Sequence, residues 1–166
     1  ENACRQAKIN FDNSPFSDLL IVEKVAFQHW NTPLKFDLIV SNPPYFSDSL
    51  KSPDSGRNFA RHNDTLLFVD LIKKSISLMN PGGKLAVILP FDGFEVFQSL
   101  ALENQLFLCR KTLVSSLPQK SPKRVLLEYS NKETDYREDL LLIEKSRGTF
   151  SEEYVGLTKE FYLNII

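Results

Sequence analysis

This chain has no excess of basic charge. Its 20 lysine and arginine residues face 21 aspartate and glutamate residues, giving a net charge of −1 over 166 residues. A protein that neutralises nucleic-acid phosphates displays a basic face, so any such face here is local. Two sets are candidates, Lys51, Arg57 and Arg61, and then Lys120, Lys123 and Arg124. The competing reading of both is a solvated surface that keeps the protein soluble. Long apolar runs are also missing. None approaches the roughly 20 residues of a membrane span, and Glu1-Asn2-Ala3-Cys4-Arg5 lacks the apolar core of a signal peptide, so a soluble, cytoplasmic protein away from membranes is expected. Cysteine is scarce. Cys4 and Cys109 stand far apart, with no CxxC pair and no histidine cluster nearby, so neither a disulfide nor a metal site is expected and both read as buried thiols. His29 and His62 are isolated and read as surface or half-buried side chains. Glycine is sparse as well: the six, at 56, 82, 83, 93, 148 and 156, form no GxGxG.

What is present is a globular composition, 42% hydrophobic and 25% charged, of a length that suits one domain over 1–166. Ala3, Ala7 and Asn10 recur at helical spacing until Asn13-Ser14-Pro15 stops them. Leu19-Leu20-Ile21-Val22 and Phe36-Asp37-Leu38-Ile39-Val40 read as short buried strands. Residues 47–63 are polar and without period, a long loop. Leu67, Leu71, Ile72, Ile76 and Met79 mark a helix, capped by Asp64 or Thr65 and ended by Asn80-Pro81-Gly82-Gly83. The strand Leu85–Pro90 follows, then a helix over 92–104 with Phe94, Phe97 and Ala101 inward and Asp92 as its N-cap. Phe107–Val114 and Arg124–Tyr129 flank a turn-rich stretch and predict an antiparallel pair, with Leu140–Ile143 as an edge strand. Strands alternating with helices predict an α/β fold: a mostly parallel sheet with helices on both faces and an antiparallel edge.

Asn42-Pro43-Pro44-Tyr45 carries the chemistry. It leaves the sheet at the carboxyl end of a buried strand, where open parallel sheets bind ligands. An exocyclic amine is a poor nucleophile because its lone pair is delocalised into the ring. Two acceptors aimed at its protons localise that lone pair, and the Asn42 side-chain oxygen and the Pro43 carbonyl are suited to the task. Proline rigidity holds the carbonyls in place, and Tyr45 offers a flat face for an extruded base or an amide. Alone, Asn-Pro-Pro also reads as a simple turn.

With Phe36-Asp37-Leu38-Ile39-Val40-Ser41 before it and Phe46 after it, the tetrapeptide resembles the active-site loop of amino-methyltransferases. Asn10-Phe11-Asp12-Asn13-Ser14-Pro15-Phe16, Arg61, Lys123-Arg124-Val125-Leu126-Leu127-Glu128 and the ending Tyr154, Leu157, Phe161-Tyr162-Leu163 resemble the tRNA adenine-N6 methyltransferases that act beside the anticodon of a valine tRNA. The resemblance spans nearly the whole chain. It implies a Rossmann-like class I methyltransferase that uses S-adenosyl-L-methionine and needs no metal. Asn42, Pro43, Pro44 and Tyr45 would form the catalytic loop, Phe27 and Asn42 would lie at the cofactor, and Arg57, Arg61, Lys123 and Arg124 would hold RNA phosphates. Ala26 stands where many relatives have an Asp near the cofactor adenine, and the glycine-rich turn and ribose-binding acid of the class are not found, so the N-terminal strands are expected to be missing from this sequence. Two other readings share the loop: a release-factor glutamine N5-methyltransferase, and a non-catalytic RNA- or partner-binding remnant of the fold.

Overall fold

The computed structural model describes residues 2–44 and 66–162. Contacts divide the chain into two compact units, Glu1–Thr32 and Pro33–Ile166.

In the first unit, helix α1 spans Asn2–Asp12. Its half-buried stripe is Cys4, Ala7 and Phe11, so Cys4 is not the fully buried thiol expected of it. Lys8 and Asp12, one turn apart, pair at 2.9 Å on the exposed side. Ser14 ends the helix, its hydroxyl donating to the Phe11 carbonyl at 2.9 Å. The strand expected over Leu19–Val22 does not form. Ser17–Leu19 is a single 3₁₀ turn, and Leu19 and Ile21 are 80% and 78% exposed. An apolar run becomes a strand only beside a ladder partner, and every strand pairing among the described residues lies within 36–150.

The second unit is built on a five-stranded sheet. Its strands are β1 (Phe36–Ser41), β2 (Met79–Pro90), β3 (Phe107–Ser115), β4 (Arg124–Ser130) and β5 (Arg137–Leu142). Their order is β1-β2-β4-β3-β5. β1 is parallel to β2 and β3 to β5, while β4 is antiparallel to both β2 and β3. β1, β2, β3 and β5 therefore run one way and β4 alone the other, a mostly parallel sheet. The expected antiparallel pair is β3 with β4, and the expected edge strand is β5.

Helices α2 (Phe68–Leu78) and α3 (Phe94–Glu103) cover one face. Side chains alternate along a strand, so Leu85, Val87 and Leu89 of β2 and Val125, Leu127 and Tyr129 of β4 point to that face, and each is at most 3% exposed. Leu71, Ile72 and Leu78 of α2 and Phe97 and Ala101 of α3 close the core. Phe97 meets Phe68 edge-on at 5.1 Å and Tyr129 at 5.4 Å, and the Tyr129 hydroxyl donates to Gln98 at 2.9 Å. The start of α2 carries no side-chain cap; its N-cap is Leu67, and Asp64 and Thr65 lie outside the described residues. Asp92 is not the cap of α3 either. It sits in the 3₁₀ turn Phe91–Gly93, and Gly93 takes the N-cap position.

Beyond β5, strands β6 (Glu144–Ser146) and β7 (Thr149–Phe150) form a small hairpin that sequence periodicity did not signal. It leads to helix α4 (Glu152–Thr158), whose N-cap Ser151 accepts the Tyr154 N–H at 3.0 Å.

β2 begins earlier than expected, absorbing Asn80-Pro81-Gly82-Gly83 as a bulge between the partners of Phe36 and Leu38. Gly82 has φ +81°, and Gly83 is buried so tightly that a Cβ would lie 2.9 Å from the Asn80 carbonyl oxygen and 3.0 Å from that of Phe36. Asn131 spans the bulge, accepting the Gly82 N–H at 2.8 Å and donating to the Asn80 carbonyl at 2.9 Å. Gly83→Ala should therefore push backbone apart and cost about 1–3 kcal/mol. Gly82→Ala, which meets open space but keeps the unfavourable φ, should cost about 1 kcal/mol. Denaturant unfolding of the two variants checks this, and an unchanged midpoint for Gly83→Ala would contradict the packing described.

Candidate active site

Two prolines cannot feed a ladder, so β1 stops at Ser41 and the chain leaves the sheet at Asn42. Asn42 is exposed, Pro43 is buried and Pro44 is exposed. The buried ring fixes the direction in which Asn42 and the Pro43 carbonyl are presented. Ser41 pairs with Val87, and β2 runs on to Pro90 before the turn at Phe91–Gly93.

Because β4 is reversed, its first residue lies at this same edge. Arg124 sits opposite Pro90 on one side and Val114 on the other. The Lys123 N–H donates to the Val114 carbonyl at 3.1 Å, and the Lys123 carbonyl accepts from the Phe91 N–H at 3.2 Å and from Arg124 Nη1 at 3.1 Å. Asn42-Pro43-Pro44 and Lys123-Arg124 thus leave the sheet from one end, two strand spacings apart, about 10 Å. Lys123 and Arg124 are both exposed there.

The other candidates fall elsewhere. Phe27 lies in the first unit, half-buried in the 3₁₀ turn Phe27–His29 that Ala26 begins. Tyr45, Lys51, Arg57, Arg61 and His62 lie outside the described residues. Asp37 belongs to the amino end of β1, where it accepts the Asn80 side-chain amide at 2.8 Å. Among the described residues no group of His, Cys, Asp or Glu converges to hold a metal.

Below Asn42, on the sheet face away from α2 and α3, opens a cleft of about 620 Å³. Val40, Ala86, Ile88 and Leu126 form its floor, and α4 contributes Leu157 from the side. Helices therefore stand on both faces of the sheet. Sequence reasoning missed the charged part of this cleft. Arg110 Nε bonds Asp139 at 2.8 Å and Arg110 Nη1 approaches Glu128 at 3.5 Å, while Arg137 pairs with Asp139 at 3.1 Å. Hydrogen bonding to Asp139 raises the Arg110 pKa further, and the same bond holds the Asp139 carboxyl below its ordinary value. Just before β5, burial and the Glu138 hydrogen bond push Tyr136 up to about 12. Arg110 is separated from Glu128 and Asp139 by 18 and 29 residues in sequence, and no local pattern signals these two pairings.

The cleft's pairing has a testable pH signature. Asp139 is held below its unfolded value of about 3.9, so its contribution to stability is complete above that value and is lost as pH falls through the lower, folded one. Thermal midpoints should decline from about pH 5 downward. Asp139→Asn should be less stable at pH 7 and show a shallower acid decline; a parallel decline in both proteins would contradict this.

Residues 4–117 match the family model described as Eco57I restriction-modification methylase. A tRNA1(Val) (adenine(37)-N6)-methyltransferase of Bacteroides fragilis is 42% identical over 98% of this chain and 70% of its own length. The enzyme of that name from Phocaeicola vulgatus is 44% identical over 99% of this chain and 70% of its own. A crystal structure described as a predicted O-methyltransferase from Agrobacterium tumefaciens superposes with TM-score 0.72, covering 96% of this chain and 73% of that one at 18% identity, a likeness of fold alone. The fold is the Rossmann-like fold of methyltransferases.

Proposed function

The chain belongs to the tRNA1(Val) (adenine(37)-N6)-methyltransferase family, and we propose that it methylates N6 of an adenine beside the anticodon of tRNA, with S-adenosyl-L-methionine as methyl donor. The observation that carries this reading is the shared edge: the amine-holding Asn42-Pro43 and the basic Lys123-Arg124 leave the sheet at the same end. The Asn42 side-chain oxygen and the Pro43 carbonyl accept the two amine protons and localise the nitrogen lone pair. Catalysis rests on this orientation. Tyr45 stacks on the extruded base, and Lys123 and Arg124, with Arg57 and Arg61, hold phosphates. A tRNA substrate makes the cytoplasm its place of work.

The donor brings an electrophilic methyl on a cationic sulfonium. Its charge is compatible with the cleft beside Asn42, whose lining carries Arg110 and Arg137 against Glu128, Asp139 and Glu153, two positive charges against three negative. Both arginines are engaged by carboxylates. Asn42 itself offers neutral carbonyl oxygen at the mouth.

The reading is tested by methyl transfer from labelled S-adenosyl-L-methionine to total tRNA, using the full-length enzyme and mapping the modified nucleotide. Label at N6 of an anticodon-loop adenine is expected, whereas label in a protein glutamine and none in tRNA would overturn it. Asn42→Ala should lower kcat about 100-fold or more while donor affinity stays within a few-fold; near-normal turnover would remove Asn42 from its role. Replacing Lys123 and Arg124 together by Ala should weaken tRNA binding and flatten its salt dependence by about one unit of slope for each phosphate no longer neutralised. Tyr45→Ala should cost about 1–3 kcal/mol in tRNA affinity, with Tyr45→Phe tolerated, so equal damage from the two would assign the role to the phenol hydroxyl instead.

A further inference from the structure

The segment Phe91-Asp92-Gly93-Phe94-Glu95-Val96-Phe97 carries three phenylalanines, and packing accounts for two of them. Phe97 is fully buried between Phe68 and Tyr129. Phe94 is half-buried, with the Lys111 ammonium 5.1 Å from its ring centre. Phe91 is 45% exposed, and it is the first residue beyond β2 at the carboxyl edge. Its backbone is nevertheless held on every side. The preceding Pro90 fixes the approach, the Phe91 N–H donates to the Lys123 carbonyl at 3.2 Å, and the Phe91 carbonyl accepts from the Phe94 N–H. The chain thus presents an aromatic ring from a rigid support, directly tied to the basic dipeptide.

The position gives the ring a use. β2 lies between β1 and β4. Phe91 follows Pro90, the partner of Arg124, about one strand spacing (~5 Å) from β4, and it stands three residues, about 10 Å, beyond the level of Asn42, because Ser41 pairs with Val87. The side chain of Phe91 is therefore within one nucleotide step, about 6–7 Å, of a strand that holds phosphate at Lys123-Arg124 and a base at Asn42. We propose that Phe91 is a second stacking surface for the RNA substrate, receiving the base next to the one extruded for methylation. Every base has a π-face, so the interaction adds affinity and fixes the strand without selecting a sequence. The proposal rests on the tRNA reading above and extends it to a residue outside the Asn42–Tyr45 loop.

The test uses the full-length enzyme, S-adenosyl-L-methionine and a tRNA substrate methylated by the wild type, with Phe91→Ala, Phe91→Leu, Phe91→Tyr and Phe91→Trp. Phe91→Ala should raise KM for tRNA by about 5- to 150-fold, the range that corresponds to loss of one base–aromatic stack, with donor affinity and melting temperature close to wild type. Phe91→Tyr and Phe91→Trp should restore KM, and Phe91→Leu should not, because it replaces apolar area without the flat ring. Unchanged KM in Phe91→Ala would overturn the inference. So would rescue by Phe91→Leu, or a loss that tracks a fall in melting temperature, since both are signs of packing alone. If the wild type transfers no methyl group to any tRNA, it is the underlying substrate reading that fails.

Discussion

The reversal of β4 is the constraint on which the candidate site depends. Inserted between two strands that run the other way, β4 brings its amino end to the edge where β1, β2 and β3 have their carboxyl ends. A strand running with the other four in that place would carry Lys123 and Arg124 to the far edge, away from Asn42. The reversal is itself a consequence of connection length. Residues 116–123 can close a return between neighbouring strands, whereas a parallel crossover needs a dozen residues or more.

The two ends of the sheet divide the work. At the amino end the chain is clamped: the Asn80 amide bonds Asp37, Asn131 bonds both sides of the bulge, and Gly83 fits a space with no room for a methyl group. These contacts set the register of β2 against β1 and β4, and alternation then fixes which face each side chain serves. One face buries Leu85, Val87, Leu89 and Tyr129 under two helices. The other keeps Ala86, Ile88 and Leu126 at a cleft whose arginines are matched by carboxylates. Rigidity at one end therefore supports presentation at the other, where the side chains at Asn42, Phe91 and Arg124 are exposed.

Much of this arrangement was legible along the chain. β1, α2, α3, β3 and β4 follow from apolar periodicity and its punctuation by Pro, Gly and Asn, and the exit of Asn42 from the sheet follows from two prolines after an apolar strand. β1 is not the buried strand expected of it: it has one ladder partner among the described residues, and Leu38 and Val40 are 55% and 73% exposed. Leu19–Val22 shows the limit of that reasoning. The run has the composition of a strand, but a strand exists only through its neighbour, and Leu19 and Ile21 lie largely in water. Asp92 shows a second limit, for a good capping residue gives way to Gly93 when the preceding turn tightens to 3₁₀.

What the sequence by itself determined is the kind of chemistry: an amide oxygen and a rigid carbonyl presented after an apolar strand, in a string of residues that marks the methyltransferase family. These are local properties, written in adjacent residues and enforced by proline geometry. The company that loop keeps was decided only by tertiary structure. The approach of Lys123 and Arg124 to Asn42, the matching of Arg110 with Asp139 across 29 positions, and the rigid presentation of Phe91 depend on strand order and direction. Those are set by hydrogen-bonded neighbours that no window along the chain contains.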